Sequence, residues 1–265
     1  MSNVNLIYSH SDEKNLNLSH EVLLQVVRFS CSGFAFALIS EQKLLKTNCY
    51  VFLSEKISDR EKLDLIQQYA NDFFTEKVSH FIFQTPINTQ IPKVLFSVEM
   101  QEKAKTILVE DVDSYHFELE NLPNHDFYNM VAWNKELYNQ IKTAFPQAKI
   151  ISHASVLLNM FNTLQNDILI FFDTRQFVVL CKNNAKFLGM NTFHFDNEAD
   201  CCFYLLAFIR KCFQQSIEGL VPILCGNIST TSPLYKTLSR YFSQIDMMTK
   251  DNMKSYSLYC DVLCI

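Results

Sequence analysis

Short apolar runs separated by polar turns are the dominant pattern of this chain, and they predict strands rather than long helices. Six runs are rich in aromatic and β-branched residues, and each has the length of a strand. They fall into two groups of three, one near the start of the chain and one after its middle. The predicted strands are Leu23–Phe29, Phe34–Ser40, Leu44–Leu53, Asp167–Asp173, Gln176–Lys182 and Lys186–Phe195.

A helix is predicted after each group of strands. In the first, Ser58 and Glu61 have the spacing of a capping box. The apolar residues that follow repeat with a helical period and predict one buried face, which comprises Leu63, Ile66, Tyr69, Ala70 and Phe73. In the second, Asp196 is the predicted N-cap. The apolar face of that second helix comprises Phe203, Leu206, Ile209 and Phe213. Each group then continues with a further strand, His80–Phe83 in the first and Val221–Cys225 in the second. The first lobe is completed by the predicted strands Tyr115–Leu119, Asp126–Trp133 and Ala148–Ser152 and a helix near Lys135–Thr143. In the second, a helix opened by Ser232-Pro233 runs through Leu234, Leu238 and Phe242.

The two groups also resemble each other in sequence. A shift of 143 positions aligns residues 29–52 with residues 172–195 without a gap. The order β-β-β-α-β-α therefore occurs twice, which indicates an internal duplication and predicts an α/β protein with a mixed sheet flanked by helices in each copy. We expect a first lobe over residues 1–150 and a second lobe over residues 151–265.

Composition and charge narrow the class of protein. Hydrophobic residues make up 48% of the chain and charged residues 19%, which excludes a disordered chain. The net charge is −5 and no basic block occurs, which argues against nucleic acid as the main partner. The apolar runs are too short to cross a bilayer, and the first 20 residues lack a signal-peptide pattern. We therefore predict a cytoplasmic protein that does not insert into a membrane.

Two further groups of residues receive structural interpretations. The nine cysteines include no C-x-x-C pair, so we predict small buried apolar residues and no metal site. An acidic run is predicted to form a solvated face, and it comprises Asp111, Asp113, Glu118 and Glu120.

Several stretches of the sequence resemble one known family. Ile91-Pro-Lys-Val-Leu-Phe96, followed by a predicted helix near residues 100–108, resembles the V-P-x-x-L-F signature of an uncharacterised Bacteroidetes family with an actin-like ATPase fold. The resemblance runs from about residue 21 to residue 245 and implies two ribonuclease-H-like lobes of the actin, Hsp70 and hexokinase superfamily. That superfamily includes kinases, ATPases, filaments and assembly scaffolds. The other matching stretches are Phe187–Phe195, Glu198–Asp200, Tyr204–Leu206, Leu224–Ile228 and Ser232–Tyr235.

The resemblance also implies where a nucleotide would bind. In active superfamily members the first β-turn of each lobe has a D-x-G pattern, whose Asp organises Mg²⁺ and whose Gly admits a phosphate. Here the first turn is Ser30-Cys31-Ser32-Gly33, which lacks the carboxylate. The second is Asp173-Thr174-Arg175-Gln176, which keeps the carboxylate but has arginine in place of glycine. The adenosine-binding segment retains one glycine, in Cys225-Gly226-Asn227.

Two functions from different classes follow from these turns. The first is a non-catalytic scaffold or regulatory protein that binds an unknown protein partner, with no cofactor and no catalytic or metal-binding residues. The alternative is a divergent ATPase or kinase that binds Mg-ATP in the interlobe cleft. Under that alternative the cofactor-binding residues are Asp173, Thr174, Arg175, Gly226 and Asn227. Self-assembly into dimers or filaments is compatible with either function.

Overall fold

The computed structural model describes residues 3–12, 23–40, 43–54, 56–214 and 217–248. Over these residues the chain forms fourteen strands and six α-helices. The strands are β1 Val4–Ser11, β2 Leu24–Phe29, β3 Gly33–Ser40, β4 Lys43–Phe52, β5 His80–Phe83, β6 Asn88–Pro92, β7 Tyr115–Asn121, β8 Phe127–Asn134, β9 Lys149–Ser152, β10 Ile168–Phe172, β11 Gln176–Asn183, β12 Lys186–His194, β13 Pro222–Gly226 and β14 Asp246–Met247. The helices are α1 Asp59–Phe73, α2 Val98–Leu108, α3 Lys135–Ala144, α4 His153–Thr163, α5 Glu198–Phe213 and α6 Pro233–Leu238.

The chain divides into two compact units, and the division falls between Asn159 and Met160, within α4. The lobe boundary expected between residues 150 and 151 lies in β9, and it stays a prediction. Each unit has its own mixed sheet and its own apolar core.

A six-stranded sheet with the order β1-β4-β3-β2-β5-β9 forms the centre of the first unit. The pairs from β1 to β2 are antiparallel, whereas β2, β5 and β9 run parallel. Strand β3 is buried along its whole length, as its eight mostly apolar residues require. The core is rich in aromatic residues, and its largest fully buried side chains include Phe29, Phe36, Ile66, Phe81, Trp133 and Ile141.

Helix α1 begins at the predicted capping box. The Ser58 hydroxyl accepts the backbone N–H of Glu61 at 3.3 Å, and the Glu61 carboxylate accepts the backbone N–H of Ser58 at 2.9 Å. The Ser58 hydroxyl also donates to this carboxylate at 2.7 Å, and this bond together with the one from the Ser58 N–H holds the pKa of the Glu61 carboxyl below its usual value. The buried face of α1 includes the predicted Leu63, Ile66 and Ala70.

Over the residues that the structure describes, the second unit repeats the strand order of the first without an equivalent of β1. Its five-stranded sheet has the order β12-β11-β10-β13-β14, with antiparallel pairs from β12 to β10 and parallel pairs from β10 to β14. The mixed α/β class and the sheets flanked by helices are therefore as expected from the sequence.

Three predictions about the second unit's helices are wrong. The N-cap of α5 is Asn197 rather than Asp196, because the Asn197 side chain accepts the N–H of Asp200 at 3.0 Å. Phe203 is 68% exposed, because the buried face of α5 follows the four-residue spacing of Cys201, Leu205 and Ile209. Helix α6 ends at Leu238, four residues before the predicted Phe242, although Phe242 itself is buried.

A three-stranded antiparallel sheet with the order β6-β8-β7 is inserted into the first unit between β5 and α3. Helix α2 packs on it around a small apolar cluster of Ile91, Ala104 and Met130. Strands β7 and β8 were predicted, whereas β6 and the N-terminal β1 were not. Both missed strands contain several polar residues and lie at sheet edges, where partial exposure removes the apolar signal.

Glu120, on β7, corrects the prediction of a solvated acidic face. Its carboxylate accepts the backbone N–H of Ser152 at 2.8 Å and the Ser155 hydroxyl at 2.5 Å, and it also accepts the Ser152 hydroxyl. The buried Asn129 amide donates to the same carboxylate at 3.2 Å. Since Ser152 and Ser155 lie at the start of α4, the carboxylate sits where a helix N-terminus favours negative charge.

Glu118 lies on the same face of β7 but has a different environment. It is half-buried, and burial together with the nearby Glu120 carboxylate raises the pKa of its carboxyl. The neighbouring Asp111 and Asp113 are exposed, as predicted for the whole run. The acidic run therefore divides into two exposed residues, the half-buried Glu118, and Glu120, which joins the inserted sheet to the start of α4.

Replacing Glu120 with alanine should destabilise the protein by about 2 kcal/mol, because the buried donors on Ser152, Ser155 and Asn129 lose their acceptor. The matched control is Glu118→Ala, which removes a carboxylate that burial disfavours and should cost little. Urea unfolding of the two variants measures the difference. Equal losses of stability would contradict the role assigned to Glu120.

Candidate functional site

The residues of the predicted nucleotide site follow the carboxyl ends of two adjacent strands in the second unit's sheet. Strands β10 and β13 pair in parallel with Phe172 opposite Gly226, so both strands end at the same level. The turn that begins at Asp173 and the segment Gly226-Asn227 therefore come together. The carboxyl ends of adjacent parallel strands are a common place for ligands in open α/β sheets.

The Asp173 carboxylate is bonded within its own turn. One oxygen accepts the backbone N–H of Thr174 at 2.7 Å, and the other accepts the Gln176 side-chain amide at 3.5 Å. The Asp173 N–H donates to the carbonyl of Gln176 at 2.8 Å and closes the turn. Thr174 and Arg175 are exposed. This arrangement is typical of an aspartate that stabilises a turn.

Gly226 is required by the approach of its backbone to β10. Its φ of +85° lies in the left-handed region, and a Cβ atom built on it would lie 2.0 Å from the carbonyl oxygen of Phe172. The next residue, Asn227, donates its N–H to that same oxygen at 2.7 Å. Strand pairing alone therefore explains why glycine stands here.

The first unit's turn is closed by its own groups as well. The Ser30 N–H donates to the carbonyl of Gly33 at 2.9 Å, and the Ser30 hydroxyl donates to it at 3.3 Å. The Ser30 and Ser32 hydroxyls lie 3.1 Å apart. A Cβ atom built on Gly33 would lie 2.1 Å from the carbonyl oxygen of Tyr50 on β4, so this glycine is needed for packing between strands.

The two turns share their main-chain hydrogen bonds at positions 143 residues apart. Besides the bond that closes each turn, each unit has two further equivalent bonds. In the first bond, a residue at or just after the end of β4 or β12 donates to a carbonyl of the turn. In the second, the residue after β5 or β13 donates to the last carbonyl of β2 or β10. The equivalent bonds are Phe52 N to Ser32 O with Phe195 N to Arg175 O, and Gln84 N to Phe29 O with Asn227 N to Phe172 O.

Gln84, at the position equivalent to Asn227, was not singled out from the sequence. It is buried, and its amide nitrogen has no hydrogen-bond partner among the residues that the structure describes. A lone glutamine after a strand carries no sequence signal, so only the equivalence of the two turns draws attention to it.

Comparisons with known proteins place the chain in a family. A model of a family of proteins of unknown function, DUF3822, matches residues 13–245. The chain belongs to the DUF3822 family. No curated protein matches the chain. The family itself has no assigned activity, so it does not decide between the two functions.

Solved structures establish the fold of this DUF3822 chain. A Bacteroides thetaiotaomicron protein with an actin-like ATPase fold and unknown function has a TM-score of 0.75 at 17% identity, covering 92% of this chain and 96% of its own. The PilM-PilN type IV pilus biogenesis complex gives 0.55 at 9% identity, with 91% and 98% covered. The cytoplasmic domain of EpsL, from the type II secretion system of Vibrio cholerae, gives 0.51 at 12% identity, with 91% and 95% covered.

These comparisons confirm the actin-like ATPase fold and the uncharacterised family expected from the sequence, whereas the Bacteroidetes origin stays a prediction. Across the described residues, no group of three or more His, Cys, Asp and Glu side chains is arranged to hold a metal ion. Within the same part of the chain, every helix is too short or too polar to span a membrane.

Replacing Gly226 with alanine should destabilise the DUF3822 chain by about 3 kcal/mol, because the new methyl group adds a clash with Phe172 to the cost of the left-handed backbone. Gly219 is the matched control, since it has a φ of +82° but no atom lies within 4 Å of its added Cβ. Gly219→Ala should cost only about 1 kcal/mol. Chemical unfolding compares the two variants, and similar costs would refute the close approach of β13 to β10.

Proposed function

We propose that this DUF3822 chain is a non-catalytic actin-like protein that acts as a scaffold or regulatory partner through contacts with other proteins. Its nucleotide-binding turns are degenerate, and it uses no cofactor. The observation that carries the proposal is that the polar groups of both turns bond to their own turn. Active members of the superfamily are expected to direct such groups at a phosphate and its Mg²⁺.

The side chains at the turns support this function. Ser30 replaces the carboxylate of the first turn and bonds to Gly33. In the second turn, the Asp173 carboxylate is engaged by Thr174 and Gln176. Arg175 adds a bulky exposed side chain where the superfamily pattern has glycine. A phosphate would have to break these bonds to reach the backbone N–H groups.

Exposed apolar residues between β6 and the start of α2 also support a role in contacts with other proteins. Val94 is 89% exposed and Val98 is 74% exposed, and Leu95 between them is exposed as well. Contiguous apolar residues on a surface are typical of interaction sites. They lie in or next to the signature Ile91–Phe96, so part of this segment is directed to the surface rather than to the core.

Two of the similar structures come from protein assemblies. PilM is in a complex with PilN, and EpsL is an inner-membrane component of a secretion system. At 9% and 12% identity, these similarities concern the fold alone. They are consistent with a role in assembly for an actin-like protein without catalysis.

We also infer that the two units arose by internal duplication and that the chain works in the cytoplasm. The duplication is supported by the matching hydrogen bonds 143 residues apart and by the shared strand order. Self-association remains compatible with this function, because the fold is also used by filament proteins.

The alternative function is a divergent ATPase or kinase, and one observation favours it. The parallel register of β10 and β13 brings Asp173, Thr174 and Arg175 next to Gly226 and Asn227. A carboxylate and a turn with a left-handed glycine thus follow the ends of two adjacent parallel strands.

Thermal unfolding with and without millimolar Mg-ATP separates the two functions. A ligand at one hundred times its dissociation constant stabilises a protein by about 2.7 kcal/mol, which raises the midpoint by about 5 °C or more for a chain of this size. We expect no shift for the wild type. A shift that Asp173→Ala abolishes, and that the exposed control Asp113→Ala retains, would establish the alternative.

Contacts with other proteins are tested by chemical crosslinking in the organism that produces the chain. We expect the chain to be recovered with a defined protein in a fixed ratio. Recovery of the uncrosslinked monomer alone, at crosslinker doses that capture a known complex in the same cells, would contradict a scaffold role.

A further inference from the structure

Two cysteines of the second unit face each other across a strand and a helix. Cys181 on β11 is paired with Gly189 on β12. A Cβ atom built on Gly189 would lie 3.5 Å from the sulfur of Cys212, in the last turn of α5. Directly paired residues of antiparallel strands project to the same face with Cβ atoms about 5 Å apart. The Cys212 sulfur therefore lies beside the side chain of Cys181.

The interaction with the Cys181 thiol lowers the pKa of the Cys212 thiol, and the nearby Lys211 ammonium acts in the same direction. The same interaction and burial both raise the pKa of the Cys181 thiol. Both directions favour a thiolate on Cys212 over one on Cys181.

The accessibility of the pair is asymmetric. Cys181 is fully buried, whereas Cys212 is only half-buried. A small oxidant from solvent therefore meets Cys212 first. The other cysteines of α5 differ, because Cys201 and Cys202 are buried and burial raises the pKa of the Cys201 thiol to about 12.

We propose that Cys181 and Cys212 form a peroxide-oxidised dithiol site, with Cys212 as the reacting residue and Cys181 as the resolving one. The Cys212 thiolate attacks one oxygen of hydrogen peroxide and becomes a sulfenic acid, and the second oxygen leaves as water after taking up a proton. The Cys181 sulfur then attacks the Cys212 sulfur and displaces the sulfenic hydroxyl, which leaves as water with the Cys181 proton. Two thiols and one peroxide thus give one disulfide and two waters.

The disulfide ties the end of α5 to the centre of the five-stranded sheet. The register of β11 and β12 and the contact of the Cys212 sulfur with Gly189 place the two side chains beside each other. The proposed disulfide lies within the second unit. The proposal does not depend on whether the chain binds nucleotide. The prediction of small buried cysteines is confirmed for Cys49, Cys181, Cys201, Cys202 and Cys225, whereas it is wrong for Cys31, which is exposed, and Cys212 is half-buried.

Peptide mapping of the full chain tests the proposal. The reduced protein is treated with hydrogen peroxide, alkylated under denaturing conditions and digested without a reductant. We expect a linked peptide containing Cys181 and Cys212 that dithiothreitol separates, with modification of Cys212 about tenfold faster than that of Cys202. Recovery of Cys181 and Cys212 in alkylated, unlinked form, at a peroxide dose that oxidises the exposed Cys31, would overturn the proposal. A disulfide from Cys212 to a different cysteine would overturn it as well.

Two variants test the order of the steps. Cys181→Ser should leave a sulfenic acid on Cys212 that dimedone labels, whereas Cys212→Ser should leave Cys181 reduced. Cys202→Ser is the matched control on α5 and should form the linked peptide at the wild-type rate. Oxidation of Cys181 in the Cys212→Ser variant would contradict the assigned roles. Mapping of the wild type decides the existence of the disulfide even if Cys181→Ser fails to fold.

Discussion

The main-chain contact between Phe172 and Gly226 is the constraint on which the candidate site depends. The strands approach so closely that only glycine is accommodated at residue 226, and the Phe172 carbonyl then accepts the N–H of Asn227. This contact fixes where β13 ends relative to β10, and so it sets Asn227 beside the turn of Asp173. The first unit has the equivalent bond from Gln84 to Phe29. Backbone pairing therefore positions the turn in both units.

The scarcity of glycine is consistent with the function we propose. The chain has four glycines, and each has a local role or a local environment that explains it. Gly33 and Gly226 admit a neighbouring strand, Gly219 adopts a left-handed turn, and Gly189 lies beneath Phe208 and Cys212. No glycine is left over to form a loop whose N–H groups surround a phosphate. Asp173 survives as a carboxylate, but its oxygens hold its own turn.

Much of the fold could be predicted because its signals are local. The capping box of α1 and the apolar strands β2, β3, β10 and β11 are encoded within a few residues of each other. The wrong predictions concern residues whose environment depends on residues far away in the sequence. The sequence around Glu120 is typical of a surface charge, but the fold brings Ser152 and Ser155 to its carboxylate. The exposure of Phe203 depends on which face of α5 packs against the sheet. The predicted site residues were brought together by the register of two parallel strands, which the sequence does not specify.

The central claim is that turns closed on themselves leave the chain without a phosphate site. Phosphorus NMR of Mg-ATP titrated with the purified protein tests it most directly, because the β- and γ-phosphate resonances respond to contact with a turn. The account predicts that these resonances keep the position and width of free Mg-ATP at equimolar protein. Broadening or a shift of the β- and γ-phosphate signals that disappears in Asp173→Ala would contradict it and would identify the chain as a nucleotide-binding protein.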